Sequence, residues 1–150
     1  MSSVVEAIYE LKYNPFKYGE YIASFYTSVE EQEHNLLLSQ LIIPLCSHSI
    51  FGSKLLKSNV NSTIWSIFGD QKQLYDLQER IDEFQGLTQQ SIQYCIDNDW
   101  LSVNVQNLIL RSCVDTRPPY NIQRVAWKLG RLFKKHSVVE IYSFLGVKPR

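Results

Sequence analysis

The stretch over residues 72–111, KQLYDLQERIDEFQGLTQQSIQYCIDNDWLSVNVQNLILR, changes period part-way along, and that change decides the fold class. Up to Asp97, the apolar residues Leu74, Leu77, Ile81, Phe84, Ile92 and Cys95 fall at helical spacing with charges between them. They predict a helix over residues 72–97. Gly86 weakens that helix at mid-length by up to ~1 kcal/mol relative to alanine, which allows a break there. The pattern then shifts to Trp100-Leu101-Ser102-Val103-Asn104 and Gln106-Asn107-Leu108-Ile109-Leu110-Arg111 about a short polar turn. These two runs predict a β-hairpin.

Working outward, Asn61 to Gly69 reads as a short capped helix ending at glycine. Helix, turn, longer helix and hairpin is the order of a winged-helix unit. On the N-terminal side, Leu36 to Ile50 predicts a largely buried helix, kinked or broken at Pro44. Asn14-Pro15 opens a helix, because Asn caps and Pro is tolerated at the first helical position. Its apolar and aromatic face includes Phe16, Tyr21, Ile22, Phe25 and Tyr26. Ser28-Val29-Glu30-Glu31 has capping-box spacing, for a new helix or a tight connection.

On the C-terminal side, Arg117-Pro118-Pro119-Tyr120 predicts a rigid, non-helical connector. Asn121 caps a helix to about Lys135, and Ser137 caps a last helix ending at Gly146. The expected class is mainly α (α+β): a winged-helix-like body over residues 14–115 and two C-terminal helices over residues 121–146. One domain over residues 1–150 accounts for the length.

A chain of 150 residues, 45% apolar and 20% charged, can bury roughly two-thirds of its unfolded surface without a metal or disulfide. Cys46, Cys95 and Cys113 are an odd number in no recognised spacing. Reduced thiols and a cytoplasmic setting are expected. No secretory signal opens the sequence. The most apolar run, Leu36 to Cys46, is about half the ~20 residues of a membrane span.

The net charge of zero hides an asymmetry. From Arg117 onward there are eight basic residues and one acid, a balance of +7, so residues 1–116 carry −7. Such a division favours an oriented contact with something acidic, or the tail folded over the chain's own acids.

The search for chemistry is mostly negative. The chain has no phosphate loop, nucleophile elbow, His-Glu-x-x-His or Cys-x-x-Cys. His34, His48 and His136 are unclustered, so neither a metal nor a cofactor is expected. Asp97 and Asp99 beside Trp100 have the composition of a tight turn more than of an acid pair. Glu30, Glu31 and Glu33 near His34 read as a solvated helix start.

One constellation has clear geometry. In the helix from Asn121, the residues Ile122, Val125, Ala126, Leu129, Leu132 and Phe133 share a broad apolar face. Arg124, Lys128, Arg131 and Lys135 form a narrow basic stripe on the other side, with Trp127 at its flank. The stripe suits nucleic-acid phosphates or an acidic protein groove, or it is simply a solvated outer face.

Several motifs together carry a resemblance. Asn14-Pro15-Phe16 opens the first helix, Ile43-Pro44-Leu45 lies in the leucine-rich one, and Ser62-Thr63-Ile64-Trp65 begins the short one. Leu129-Gly130-Arg131-Leu132-Phe133 and Phe144-Leu145-Gly146-Val147-Lys148-Pro149 close the chain. The string resembles the middle component of bacterial three-component ABC systems, a group that includes Lamassu-type anti-phage defence. The resemblance implies a non-catalytic adaptor that joins an SMC/Rad50-like ABC ATPase to an effector, often a nuclease. DNA would then be met through the complex.

The alternative is a stand-alone winged-helix DNA-binding regulator. Its recognition helix would carry Lys72 and Arg80 against Asp76, Glu79, Asp82, Glu83 and Asp97, a poor fit to phosphate.

Overall fold

The computed structural model describes Val4 and residues 14–113 and 121–150, the side chains of residues 121–123 excepted. It is 66% helical with one small antiparallel sheet, which makes the fold mainly α (α+β). The connector expected at residues 117–120 and the cap expected from the Asn121 side chain lie outside the described residues.

Helix α1 (Pro15–Ser28) starts where the Asn-Pro pair predicts. The Asn14 side chain accepts the Phe16 N–H at 2.9 Å, and Pro15 fills the first helical position. Tyr18, Tyr21, Ile22, Phe25 and Tyr26 are buried along it. Phe16, expected with them, is exposed and meets Tyr94 edge-to-face at 4.9 Å.

Residues 28–31 are a connection and not a helix start. Ser28 ends α1, and its hydroxyl faces the carbonyls of Phe25 and Trp127 as a donor, so it caps no following helix. Glu31 turns away to grip the Arg111 guanidinium at 2.6 and 3.0 Å. A 3-10 turn then covers Asn35–Leu38.

Three short helices follow: α2 (Ser39–Cys46), α3 (Ser49–Lys57) and α4 (Ile64–Phe68). Pro44 sits inside α2 without ending it. The chain turns instead by 101° between Cys46 and Ser49, where the His48 ring takes over the capping of α3. A 3-10 turn over Gln71–Leu74, capped by Asp70, separates α4 from α5 (Leu77–Asp97). The long helix therefore begins five residues later than its periodicity implied. It runs unbroken through Gly86.

Strands β1 (Leu101–Asn104) and β2 (Ile109–Ser112) form the hairpin, with Leu101 opposite Ser112 and Asn104 opposite Ile109. Buried Asn35 clips it to the body. Its side chain accepts from the Leu110 N–H at 2.7 Å and donates to the Leu110 carbonyl at 3.0 Å. The N–H groups of His34 and Leu36 bond to the carbonyls of Asn107 and Leu108 at the turn.

Helix α6 (Asn121–Phe133) lies against α1, and α7 (Val138–Leu145) closes the chain between its Ser137 cap and Gly146 at φ 70°. Phe25 of α1, Phe68 of α4 and Phe133 of α6 meet in one core, with the Phe25 and Phe68 rings 6.1 and 6.3 Å from that of Phe133. Cys46 and Cys95 are buried and Cys113 is exposed. Burial pushes the Cys95 thiol up to about 12.

Three cations hold the ends of the short helices. Arg80 of α5 donates to the Pro44 carbonyl of α2 at 3.0 Å. Lys128 of α6 donates to the Leu56 and Ser58 carbonyls at the end of α3, at 2.5 and 3.0 Å. Lys54 reaches the Ile67 carbonyl of α4 at 3.4 Å. The terminal carbonyls of a helix carry partial negative charge, so each placement is favourable. After α7, Gln78 and Gln40 each exchange two hydrogen bonds with the backbone of Lys148 and Arg150, and Arg150 pairs with Asp82 at 3.0 Å. Arg150 thus meets one of the chain's own acids, Asp82.

Among the described residues, no single helix is long and apolar enough to cross a membrane.

Candidate binding cleft on the basic face

The basic stripe does not lie square to solvent. Lys128 and Arg131 are half-buried, because α6 is roofed on that side by the loop between α3 and α4. Between loop and helix is a cleft of about 360 Å³, lined by Lys128, Arg131 and Lys135 on one side and Val60, Ile64 and Trp65 on the other. Leu132 and His136 also contribute, and none of the lining residues is an aspartate or glutamate.

Each wall has a local cause. Thr63 and Ser66 form a reciprocal capping box, the Thr63 hydroxyl accepting the Ser66 N–H at 3.1 Å and the Ser66 hydroxyl accepting the Thr63 N–H at 2.9 Å. With Ile64, Ile67 and Phe68 buried beneath, the helical period turns Trp65 outward, and it is 61% exposed. His136 and Phe144 hold the indole edge-to-face, both at 5.7 Å. Beyond Trp65 a second hollow of about 280 Å³ opens, lined by Ile64, His136, Glu140, Ser143 and Phe144. Trp65 is therefore a ridge between two depressions. The loop itself is pinned to α6 by the Lys128 ammonium.

The five residues expected to bind separate into different roles. Arg131 and Lys135 line the cleft, and Lys135 is exposed. Lys128 lines it too, but two of its donors go to α3, and burial with repulsion from Arg131 and Arg124 pushes its pKa down. Arg124 is exposed on α6 outside the cleft lining. Trp127 is half-buried with the Arg131 guanidinium 5.2 Å over its ring, so it supports Arg131. Sequence reasoning missed Trp65 as a surface group. The signal was available: if Ile64, Ile67 and Phe68 face the core, residue 65 must face away.

Asp99 holds a turn at φ 60°, and Asp97 accepts from Gln93 at 2.8 Å. Among the described residues no cluster of three or more His, Cys, Asp or Glu could hold a metal.

The model of the family described as ABC-three component (ABC-3C) system Middle Component 3 matches residues 2–149. The chain belongs to that family. No curated protein and no solved structure matches it. As a middle component, the protein is one part of a three-component ABC system, and the cleft on α6 is a concave surface whose charged lining residues are all basic.

Proposed function

We propose that this middle component is the non-catalytic adaptor of an anti-phage defence complex of the Lamassu type. It links an SMC/Rad50-like ABC ATPase to an effector such as a nuclease. The observation that carries the reading is the family match over residues 2–149. A basic face on α6 and an acid-rich face on α5, where Glu79 and Glu83 are exposed, support two oppositely charged partner surfaces. The residues proposed for contact are Arg124, Trp127, Lys128, Arg131 and Lys135, with one cytoplasmic domain over residues 1–150 entering a hetero-oligomer.

Arg80 bears on the DNA-regulator alternative. The cation that would face DNA from α5 is bound to the Pro44 carbonyl and lies 5.6 Å over the Phe84 ring.

The test is co-purification. This chain, tagged and co-expressed with the products of its flanking genes, is expected to retain an ABC ATPase and an effector. Neighbouring genes that encode no ABC ATPase, or an ATPase that passes through unretained, would overturn the adaptor.

A further inference from the structure

The cleft beside Trp65 has two chemically different walls, and an occupant must satisfy both. Arg131 and Lys135 supply positive charge with no acid among the lining residues. Opposite them stand Trp65, 61% exposed, and Val60, 75% exposed. A tryptophan left this open is the kind of side chain that dominates the energy of protein contacts. Its mounting is rigid. The capping box fixes its backbone, His136 and Phe144 brace the ring, and Asn59 and Ser62 tie the loop through a hydrogen bond of 3.0 Å. Little ordering is therefore left to be done on binding.

We infer that this cleft receives a short acidic segment of a partner protein, with carboxylates on Arg131 and Lys135 and an apolar side chain against Trp65. Magnitudes decide against nucleic acid. Proteins that live on phosphate contacts use roughly 6–10 of them, and each adds to a steep salt dependence. Lys128 is already engaged by the Leu56 and Ser58 carbonyls, so the cleft presents two largely uncommitted cations. Two cations and an apolar ridge match a peptide with a pair of acids and one anchor. The volume of about 360 Å³ holds a few side chains. Arg131 also has a support, its guanidinium lying 5.2 Å over the Trp127 ring, and its planar fork suits the bidentate carboxylate geometry that lysine lacks.

The inference rests on the adaptor reading for the source of the segment, but its test needs only this chain. The probe is a fluorescein-labelled short peptide with Leu-Phe between two pairs of aspartates, followed by anisotropy against the full-length protein. Its controls are the same peptide with asparagines and a labelled oligothymidine. Saturable binding of the acidic peptide is expected, weakened at least about tenfold by Trp65→Ala, by Lys135→Glu and by the asparagine exchange. Lys135 is exposed and Lys135→Glu keeps the wild-type melting curve, while Trp65→Ala, which loses the His136 and Phe144 ring contacts, melts slightly lower but remains folded at the assay temperature. No binding of the acidic peptide overturns the inference. So does equal affinity for either variant, equal binding of the asparagine peptide, or oligothymidine displacing the peptide. Co-purification is scored separately, so a failed cleft and a failed adaptor give different results.

Discussion

Ser28 and Gly130 share a single point of contact: the Ser28 hydroxyl oxygen occupies space that a Cβ on residue 130 would need. The same hydroxyl reaches the Trp127 carbonyl at 2.6 Å, one turn earlier on α6. The absent side chain at 130 thus sets how closely α6 approaches α1. A Cβ there would also stand 2.5 Å from the Phe25 carbonyl oxygen and 3.2 Å from the Val29 nitrogen, and backbone cannot swing aside.

Gly130→Ala is therefore expected to cost about 2–3 kcal/mol, in the range for overfilling a packed interior. Gly86→Ala is the control. Nothing lies within 4 Å of a Cβ at that site in the exposed middle of α5, so it should gain about 0.5–1 kcal/mol from helix propensity. Urea melts of the two variants should move in opposite directions. A neutral Gly130→Ala would mean the helices are not held as described.

His48 makes the stability fall on the acid side. Its ring nitrogen accepts the N–H groups of Ile50 and Phe51 at 3.2 and 3.4 Å, which requires a lone pair that protonation removes. Burial, then repulsion from Arg80, hold its pKa below the ordinary 6.5. The unfolded chain consequently binds the proton first. The cap's contribution is complete above about pH 6.5 and is lost as pH drops through the folded-state value. His48→Asn keeps a cap acceptor without the titration, so its stability should change less with pH across that window. Parallel slopes for the two proteins in pH-dependent melts would refute the assignment.

Charge changes within the stripe should separate. Lys128→Ala removes a cation from the end of α3 and is expected to cost about 1–2 kcal/mol. Arg131→Ala leaves no helix end uncapped and should stay within about 0.5 kcal/mol of wild type. Thermal melts decide, and equal losses would mean that Lys128 is only a surface charge. Reversing Lys128 together with its neighbours would consequently confuse folding with binding.

The tail clips are testable one at a time. Gln78→Ala should release the Lys148 amide and Gln40→Ala the Arg150 amide, each showing faster hydrogen exchange by NMR while the other keeps its protection. Unaltered exchange at the matching residue would show that the clip is absent in solution.

What the sequence made legible was local. Asn14-Pro15, the Thr63 box, Ser137 and Gly146 announce helix ends, since a cap satisfies groups within a few residues of itself. The apolar stripe of α6 was visible for the same reason. On the opposite face, the engagement of Lys128 was not legible, because it answers to carbonyls 70 and 72 positions away and no local period records them. Ser28 and Glu31 have the spacing of a cap but serve Trp127 and Arg111, contacts fixed only once α6 and the hairpin are in place. The candidate site was thus half readable. Its cations lay in one helix, while its aromatic wall came from a loop that only the fold brings near.

The seat of α1 on α6 also sets a timetable for the chain during its synthesis. Ser28 leaves the ribosome 99 residues before the carbonyl it binds. At the usual pace of elongation that gap lasts roughly 5–20 s. Throughout it the apolar side of α1 has no α6 to cover it, and the Leu56 and Ser58 carbonyls at the end of α3 lack Lys128. The apolar side of α1 therefore waits on the nascent chain until α6 has been made, and synthesis of α6 is the event that lets the two helices close.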